Sequence, residues 1–358
     1  MEYQVKKIVK NQIYEDTMYI AKTDIDWDCF KDKTVMITGA NGFIAYYLVL
    51  TLLLRNDLYS QNIKVMGIVR NKGKAVKKYG SIAKRKDFTL VELDVCSNMD
   101  KVGHADFVIH AASQATPYYF ENDPVGTLEA NTTGTTNILK YALKEKSEAV
   151  LMISSIKVYG EICNGNDKIK EEDLGYLDIT SYKNCYAVGK RTMETLCSCY
   201  NKQYGINVKI ARPSYIYGAS TLEDDRVWAQ FLANIIKKED ILLKSNGAAY
   251  RSFCYVADTA AALFMVMMKG SNAVPYNIAA EHSNTTIRNF AKTAAAAFPE
   301  RNMSLRFSNK EDEKEPERQG GKMTPEILDN SSLELLGWKG EINLIEGIRR
   351  SVKTMEEK

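Results

Sequence analysis

Residues Lys33–Arg55 read KTVMITGANGFIAYYLVLTLLLR. Lys33–Thr38 is a short apolar, β-branched run, the composition of a strand buried on both faces. Phe43–Arg55 is apolar and of helical length, and Gly39-Ala40-Asn41-Gly42 stands between the two. A strand that hands over to a helix through Gly39-x-x-Gly42-x-x-Ala45 needs small residues at each place. Gly39 permits a sharp turn, Gly42 lets backbone N–H groups approach a pyrophosphate, and Ala45 lets the helix pack close to the strand. The helix N-terminus adds partial positive charge. Glycines also end strands for purely structural reasons, so the preceding strand and following helix carry the nucleotide-binding reading.

Outward from this loop, Ile63–Val69, Phe88–Glu92, Phe107–His110, Ala149–Ser154 and Val208–Ala211 read as further strands, with helical segments near 124–146 and 183–203. Strands alternating with helices imply a parallel sheet wrapped on both faces. The expected class is α/β, a Rossmann-type doubly wound parallel sheet with a smaller C-terminal α/β substrate-binding region. Residues 31–212 form the dinucleotide-binding domain, to which 251–279 returns, and 213–250 with 280–358 form the second region. Helix-like stretches there are Arg226–Lys238, Asp258–Lys269 and Thr286–Phe298, and Lys310–Arg318 reads as a solvated loop. Residues 1–30 are an N-terminal extension, read as a helical flap or oligomer arm.

Composition narrows the class. The 358 residues are 45% apolar and 26% charged, ordinary for a globular protein, and 48 basic against 45 acidic residues leave a net charge of +3. That balance, without a basic run, gives no sign of a nucleic-acid partner. The apolar run Tyr46–Leu54, broken by Thr51, is half a membrane span, so no membrane partner is expected. The first twenty residues lack a secretory apolar core. Seven cysteines without a CxxC pair fit reduced thiols in a cytoplasm, and three histidines leave little for a histidine-based metal site, so no metal is expected.

Arg70 ends the second strand. A carboxylate there suits the ribose 2′-OH of NAD, whereas an arginine can pair with the 2′-phosphate of NADP. A solvent-facing arginine at a strand end is the competing view. Asp94, ending the third strand, is placed to reach the adenine or to cap the strand. Tyr186 and Lys190, spaced i, i+4, project from one face of a helix. An ammonium beside a phenol favours the phenolate, giving a base that works near neutral pH. Ser154-Ser155 closes the preceding strand and could hold a substrate oxygen opposite Tyr186. Cys185 reads as packing rather than a nucleophile, His110 as a satisfied wall residue, and Tyr118-Tyr119-Phe120 as a subunit or core contact, with stacking on a base or sugar as the alternative.

These motifs together resemble the extended short-chain dehydrogenase/reductases, in particular the NAD(P)-dependent nucleotide-sugar epimerases, dehydratases and decarboxylases. The resemblance rests on TGANGFIA at 38–45, IHAAS at 109–113, Asn131-x-x-Gly134-Thr135, SSIKVYG at 154–160, Tyr186-x-x-x-Lys190, RPSYIYG at 212–218 and Arg251-Ser-Phe-x-Tyr255-Val-x-Asp258. LGW at 336–338 and IEGI at 345–348 resemble the family's C-terminal end. It implies that Ser155, Tyr186 and Lys190 are catalytic. Tyr186 would take a sugar hydroxyl proton, Lys190 would bind the nicotinamide ribose and keep Tyr186 acidic, and Ser155 would hold the reacting oxygen. It places Gly39, Asn41, Gly42, Phe43, Ile44, Arg70, Asp94, Val95, Ala111, Ala112, Ser113, Asn131, Tyr186 and Lys190 on NAD or NADP, with Arg70 leaning toward NADP. It places Gln114, Ser155, Tyr215, Arg251 and Arg318 on a nucleotide-diphosphate sugar, the two arginines at its pyrophosphate. Family members pair as homodimers through helices matching 124–146 and 183–203.

The sequence departs from the family in places. A 4,6-dehydratase carries adjacent Asp and Glu after the catalytic hydroxyl residue, and a decarboxylase keeps a glutamate at the second position. Here these are Ile156 and Lys157. SSIKVYG is nearer to a stretch of the CDP-paratose 2-epimerases, while Lys157 could equally be a surface lysine on a turn. Tyr215 stands where asparagine is frequent, and Ala219 where proline is. The leading expectation is an epimerase working by transient oxidation to a keto sugar and hydride return. The alternatives are a dehydratase or decarboxylase, a net NADPH-dependent carbonyl reductase suited by Arg70, and a non-enzymatic dinucleotide sensor.

Overall fold

The computed structural model describes residues 4–163, 165–313 and 325–357. Its main sheet opens with β1 (Thr34–Thr38), β2 (Lys64–Val69), β3 (Phe88–Glu92), β4 (Phe107–His110), β5 (Ala149–Ile153) and β6 (Val208–Pro213). Three short strands, β7 (Tyr215–Tyr217), β8 (Ile241–Leu243) and β9 (Tyr250–Tyr255), precede β10 (Pro275–Ile278), which the sequence pattern did not predict as a strand. The seven-stranded sheet has the order β10-β6-β5-β4-β1-β2-β3, and every pairing in it is parallel. The chain leaves β1 toward β2 and β3, then crosses back to β4 on the other side. That reversal opens a crevice beyond the carboxyl ends of β1 and β4, the place where open α/β sheets bind ligands.

The period-two alternation of β1 explains its burial on both faces. Val35 and Ile37 join one apolar cluster with helices Phe43–Tyr59 and Val256–Lys269, while Met36 joins a second with Ile138, Leu139 and Met193 on the opposite face. The expected helix near 124–146 is broken at Thr132 into Pro124–Asn131 and Thr133–Glu145. A helix at Lys72–Tyr79, capped by Asn71 and absent from the sequence expectation, follows β2.

The described part of the N-terminal extension packs on its own chain. Helix Asn11–Ala21 lies against helices Phe43–Tyr59 and Val256–Lys269. Its Asp16, fully buried, accepts hydrogen bonds from Tyr255 Oη at 2.6 Å and Arg350 Nη1 at 2.9 Å. Tyr19 Oη donates to Asp258 Oδ1 at 2.6 Å.

Beside the main sheet, β9 pairs with β7 and, antiparallel, with β11 (Asn284–Thr286), while β8 pairs with β12 (Leu305–Phe307). Helices Val227–Lys237, Ile287–Ala296 and Leu344–Glu356 pack around them. Phe290 is fully buried among the rings of Tyr217, Phe231 and Phe253. This second layer forms the far wall of the crevice.

Candidate active site

A cleft of about 440 Å³ runs from the glycine loop to the second layer. At its floor Gly39 has φ +62°, and a Cβ there would meet Ala112 Cα at 2.8 Å. Only glycine holds that turn without strain while the β4 end packs against it. Gly42 N donates to Gly39 O at 2.7 Å, closing the turn. Helix Phe43–Tyr59 then begins with no side-chain cap, so its first N–H groups remain free to meet an anion. Gly42, Phe43 and Ile44 line the cleft. The cradle therefore fits a dinucleotide pyrophosphate. Asn41 carries its carbonyl to this turn, where Lys78 Nζ donates to Asn41 O at 2.9 Å and Gly42 O at 3.2 Å. Lys78 lies over the Tyr46 ring at 4.6 Å, and desolvation pulls its pKa down to about 8. No local signal marked Lys78, because its role depends on where the Lys72–Tyr79 helix packs.

Ala111 N and Ala112 N both donate to Thr38 Oγ1 at 3.1 Å, tying the β4 end to β1. Ser113 Oγ donates to Asn131 Oδ1 at 3.0 Å, and Asn131, fully buried, donates to Thr127 O at 2.7 Å. Asn131 packs directly on Gly189, where a Cβ would approach Asn131 Cβ to 2.9 Å. The absent side chain lets helix Cys185–Tyr204 come close enough to present Tyr186 and Lys190 to the cleft.

Ser155, Tyr186 and Lys190 come together as their spacing implies. Ser155 Oγ accepts from Lys157 N at 3.2 Å and lies close enough to the Tyr186 phenol to favour its ionised form, and the Tyr186 ring stacks on Phe120 at 4.9 Å. Phe120, read as a subunit or core contact or else a stacking ring, is a wall of the cleft. Lys190 is buried, its Nζ 5.7 Å from the Tyr186 ring centre and donating to Ile153 O at 2.7 Å. The electrostatics differ from the sequence expectation. Desolvation raises the Tyr186 pKa, and the opposing pulls come from the Ser155 hydrogen bond and the charge of Lys157. Lys190 is itself drawn down to about 7 by desolvation, partly resisted by Glu194, so it is a weaker cation than its sequence position implied. Glu194 is in turn held by Arg212, Nη2 to Oε2 2.6 Å. Lys190 and Glu194 stand at i, i+4 on helix Cys185–Tyr204, a spacing written in the sequence itself.

Lys157 lines the cleft and is no mere turn lysine. Its Nζ donates to Tyr215 Oη and to Glu326 Oε1, each at 2.8 Å. Tyr215 Oη donates to Glu326 Oε2 at 2.8 Å, Arg251 Nε lies 3.2 Å from the same oxygen, and the Arg251 guanidinium sits 4.5 Å over the Tyr215 ring. Burial would raise the Glu326 carboxyl pKa, but Lys157, Tyr215 and Arg251 outweigh it and hold the group below its ordinary value. Glu326 is the carboxylate that sequence reasoning missed. Arg226, which caps helix Val227–Lys237, also lines the cleft, held by Asp224 and stacked over Trp228 at 4.4 Å.

Other expected residues stand apart from the cleft lining. Asp94 is exposed and accepts from Cys96 N at 2.8 Å, closing its own turn. Val95 packs against Gly134. Gln114 is buried with its amide committed to Asp123 Oδ2 and Thr127 Oγ1, both at 2.9 Å. Arg70 is exposed at the end of β2. Arg318 lies outside the described residues. His110 Nδ1 is 2.8 Å from Thr38 Oγ1, and Cys185 is buried. Among the described residues no group of His, Cys, Asp and Glu could hold a metal ion, and no helix is long and apolar enough to cross a membrane.

The sequence model of the NAD dependent epimerase/dehydratase family matches residues 35–279, the span that carries β1 through β10 and the cleft. The chain belongs to this family. It is an enzyme of the epimerase/dehydratase group that acts on nucleotide sugars with an NAD(P) cofactor. Among its relatives, UDP-glucuronic acid decarboxylase 5 of Arabidopsis thaliana is 29% identical over 321 residues, covering 89% of this chain and 88% of that protein. Its fold is similar to UDP-N-acetylglucosamine 4-epimerase from Methanobrevibacter ruminantium M1, with TM-score 0.74, 21% identity, and coverage of 90% of this chain and 98% of that one. It is also similar to UDP-glucuronic acid 4-epimerase from Bacillus cereus, with TM-score 0.73, 20% identity, and coverage of 90% and 99%.

Proposed function

We propose that the chain is a nucleotide-sugar epimerase that oxidises a ring carbinol transiently and reduces it again on the other face. One observation carries this reading: Tyr186 lines the cleft with Lys190 beside its ring, and among the described residues the turn that follows Ser155 brings no carboxylic acid to it. Ile156 and Lys157 fill the two positions after Ser155. Glu326, behind the cleft-lining Lys157, Tyr215 and Arg251, is held ionised by two cations and a phenol. A dehydratase needs a protonated acid to expel oxygen, and an epimerase does not.

The residues suited to hold the dinucleotide are Gly39, Asn41, Gly42, Phe43 and Ile44 at its pyrophosphate, and Ala111, Ser113 and Lys190 toward its nicotinamide ribose. When bound, it supplies the acceptor and then the donor of one hydride. Arg70 supports NADP over NAD. Ser155 holds the reacting oxygen, and Tyr186 receives the hydroxyl proton and returns it after the keto sugar has turned over in the cleft. Phe120 shields Tyr186 from water. Arg251 meets the substrate diphosphate. The enzyme is taken as cytoplasmic, in keeping with its seven free cysteines, and as a homodimer pairing along helices Thr133–Glu145 and Cys185–Tyr204.

A second reading, decarboxylation of a uronic sugar, is favoured by the UDP-glucuronic acid decarboxylases among the relatives. Incubating the pure protein with UDP-, CDP-, GDP- and dTDP-sugars and reading products by mass and NMR separates the two. Unchanged mass with inverted stereochemistry is the expected result. Loss of CO₂ supports the decarboxylase and loss of water a dehydratase, either of which overturns the epimerase.

A further inference from the structure

Two hydrogen-bond donors and one ion-pair cation from distant parts of the chain converge on one carboxylate beside the cleft. Lys157 follows the Ser155 turn, Tyr215 lies on β7 and Arg251 on β9, and their ammonium, hydroxyl and guanidinium groups all address Glu326. Lys157, Tyr215 and Arg251 all line the cleft. Glu326 is held by its backbone, not by a mobile loop. It forms a β-bridge with Arg251, and Ser252 N donates to Glu326 O at 3.0 Å. Its side chain can therefore rotate away while the main chain stays, leaving a two-cation fork and a phenol hydroxyl already in place. Two positive charges against one negative leave a surplus that favours a further anion. The ligand chemistry is on display in the structure, because the group this trio now holds is a carboxylate.

We propose that Lys157, Tyr215 and Arg251 form the subsite for a carboxylate on the sugar of the substrate, with Glu326 standing in for it in the free enzyme. The proposal rests on the nucleotide-sugar reading above and narrows it to acidic sugars. Lys157 is two residues past Ser155, and its field reaches Tyr186, so this arm of the trio sits at the reacting end of the sugar and not at the nucleotide. Arg251, assigned above to the substrate diphosphate, is the arm shared between the two anions, and Lys157 is the arm that meets the sugar carboxylate.

The test uses the cofactor-loaded full chain and two probes that differ only at C6, UDP-glucuronic acid and UDP-glucose, with dissociation constants from calorimetry. Wild type is expected to bind the acid at least tenfold more tightly. Lys157→Met is expected to weaken the acid by ten- to a hundredfold and UDP-glucose by less than threefold. Lys157→Arg is expected to restore the preference, which a merely structural role for the side chain would not produce. Glu326→Gln is expected to tighten the acid several-fold by removing the internal competitor. Equal binding of the two probes by wild type overturns the proposal. So does an equal weakening of both by Lys157→Met, which would assign the trio to the diphosphate, or weaker acid binding by Glu326→Gln. Turnover of neutral nucleotide sugars alone would sink this subsite while leaving the epimerase reading intact. Absence of turnover on every sugar would sink that reading separately.

Discussion

Lys157 Nζ and Glu326 Oε1 lie 2.8 Å apart although 169 residues separate them in the chain. The pair puts a cation beside Ser155 and Tyr186 that the short motif around position 157 could not assign. It also supplies a carboxylate whose ionised state argues against acid catalysis. The roles of the neighbouring groups can be tested one at a time.

Tyr186→Phe removes the proton acceptor while keeping the ring against Phe120. Turnover is expected to fall by about 10²–10⁴-fold, the usual contribution of a positioned acid–base group. Cofactor binding, followed by fluorescence, should be unchanged. Retained turnover would remove Tyr186 from the mechanism.

Lys157→Met acts on the same phenol through charge. Desolvation already raises the Tyr186 pKa, and Lys157 opposes that rise. Deleting the ammonium leaves the rise less opposed, so the phenolate forms at higher pH. The limb of the kcat/KM profile that reports Tyr186 ionisation should move upward. A shift in the other direction would contradict the assigned field.

Arg70→Asp should move cofactor preference from NADP toward NAD, by about tenfold or more in the ratio of dissociation constants, since a charge-assisted contact contributes about 1.5–3 kcal/mol. An unchanged ratio would mark Arg70 as a solvent-facing strand-end residue.

Gly39→Ala places a Cβ 2.8 Å from Ala112 Cα at φ +62°. The strain, about 1–3 kcal/mol, should appear as a lower Tm and as weaker cofactor binding. A variant with wild-type Tm and affinity would show that the loop relaxes freely.

His110 is fully buried, and desolvation followed by the charge of Lys190 holds its pKa down at about 3, below the ordinary value of 6.5. Between these values the unfolded chain binds a proton that the native chain does not. This stabilising contribution is therefore complete above pH 6.5 and fades as pH falls toward 3, at about 1.4 kcal/mol per pH unit. Urea unfolding at pH 7 and pH 5.5 should show a smaller loss for His110→Gln than for wild type. Equal losses would mean that His110 titrates normally.

Much of this molecule is legible locally. β1 alternates Val35, Met36 and Ile37 between two cores because each face of a buried strand needs its own apolar partners, and that pattern is written in consecutive residues. The seventh strand, Pro275–Ile278, has too short and mixed a run to declare itself, and forms only because β6 offers an open edge. Asp94 ends a predicted strand convincingly enough, yet its carboxylate closes its own turn.

The sequence alone determined the parallel sheet, the glycine loop, and the helix that sets Tyr186 and Lys190 on one face, because strand alternation, helical spacing and turn geometry are properties of neighbouring residues. The charge state of the site was decided only by tertiary structure. Burial weakens Lys190 as a cation, Lys157 supplies the field at Tyr186, and Glu326 arrives from the far end of the chain to be held by Lys157, Tyr215 and Arg251. Desolvation and ion pairing depend on what the fold packs around a group, and no local pattern encodes that.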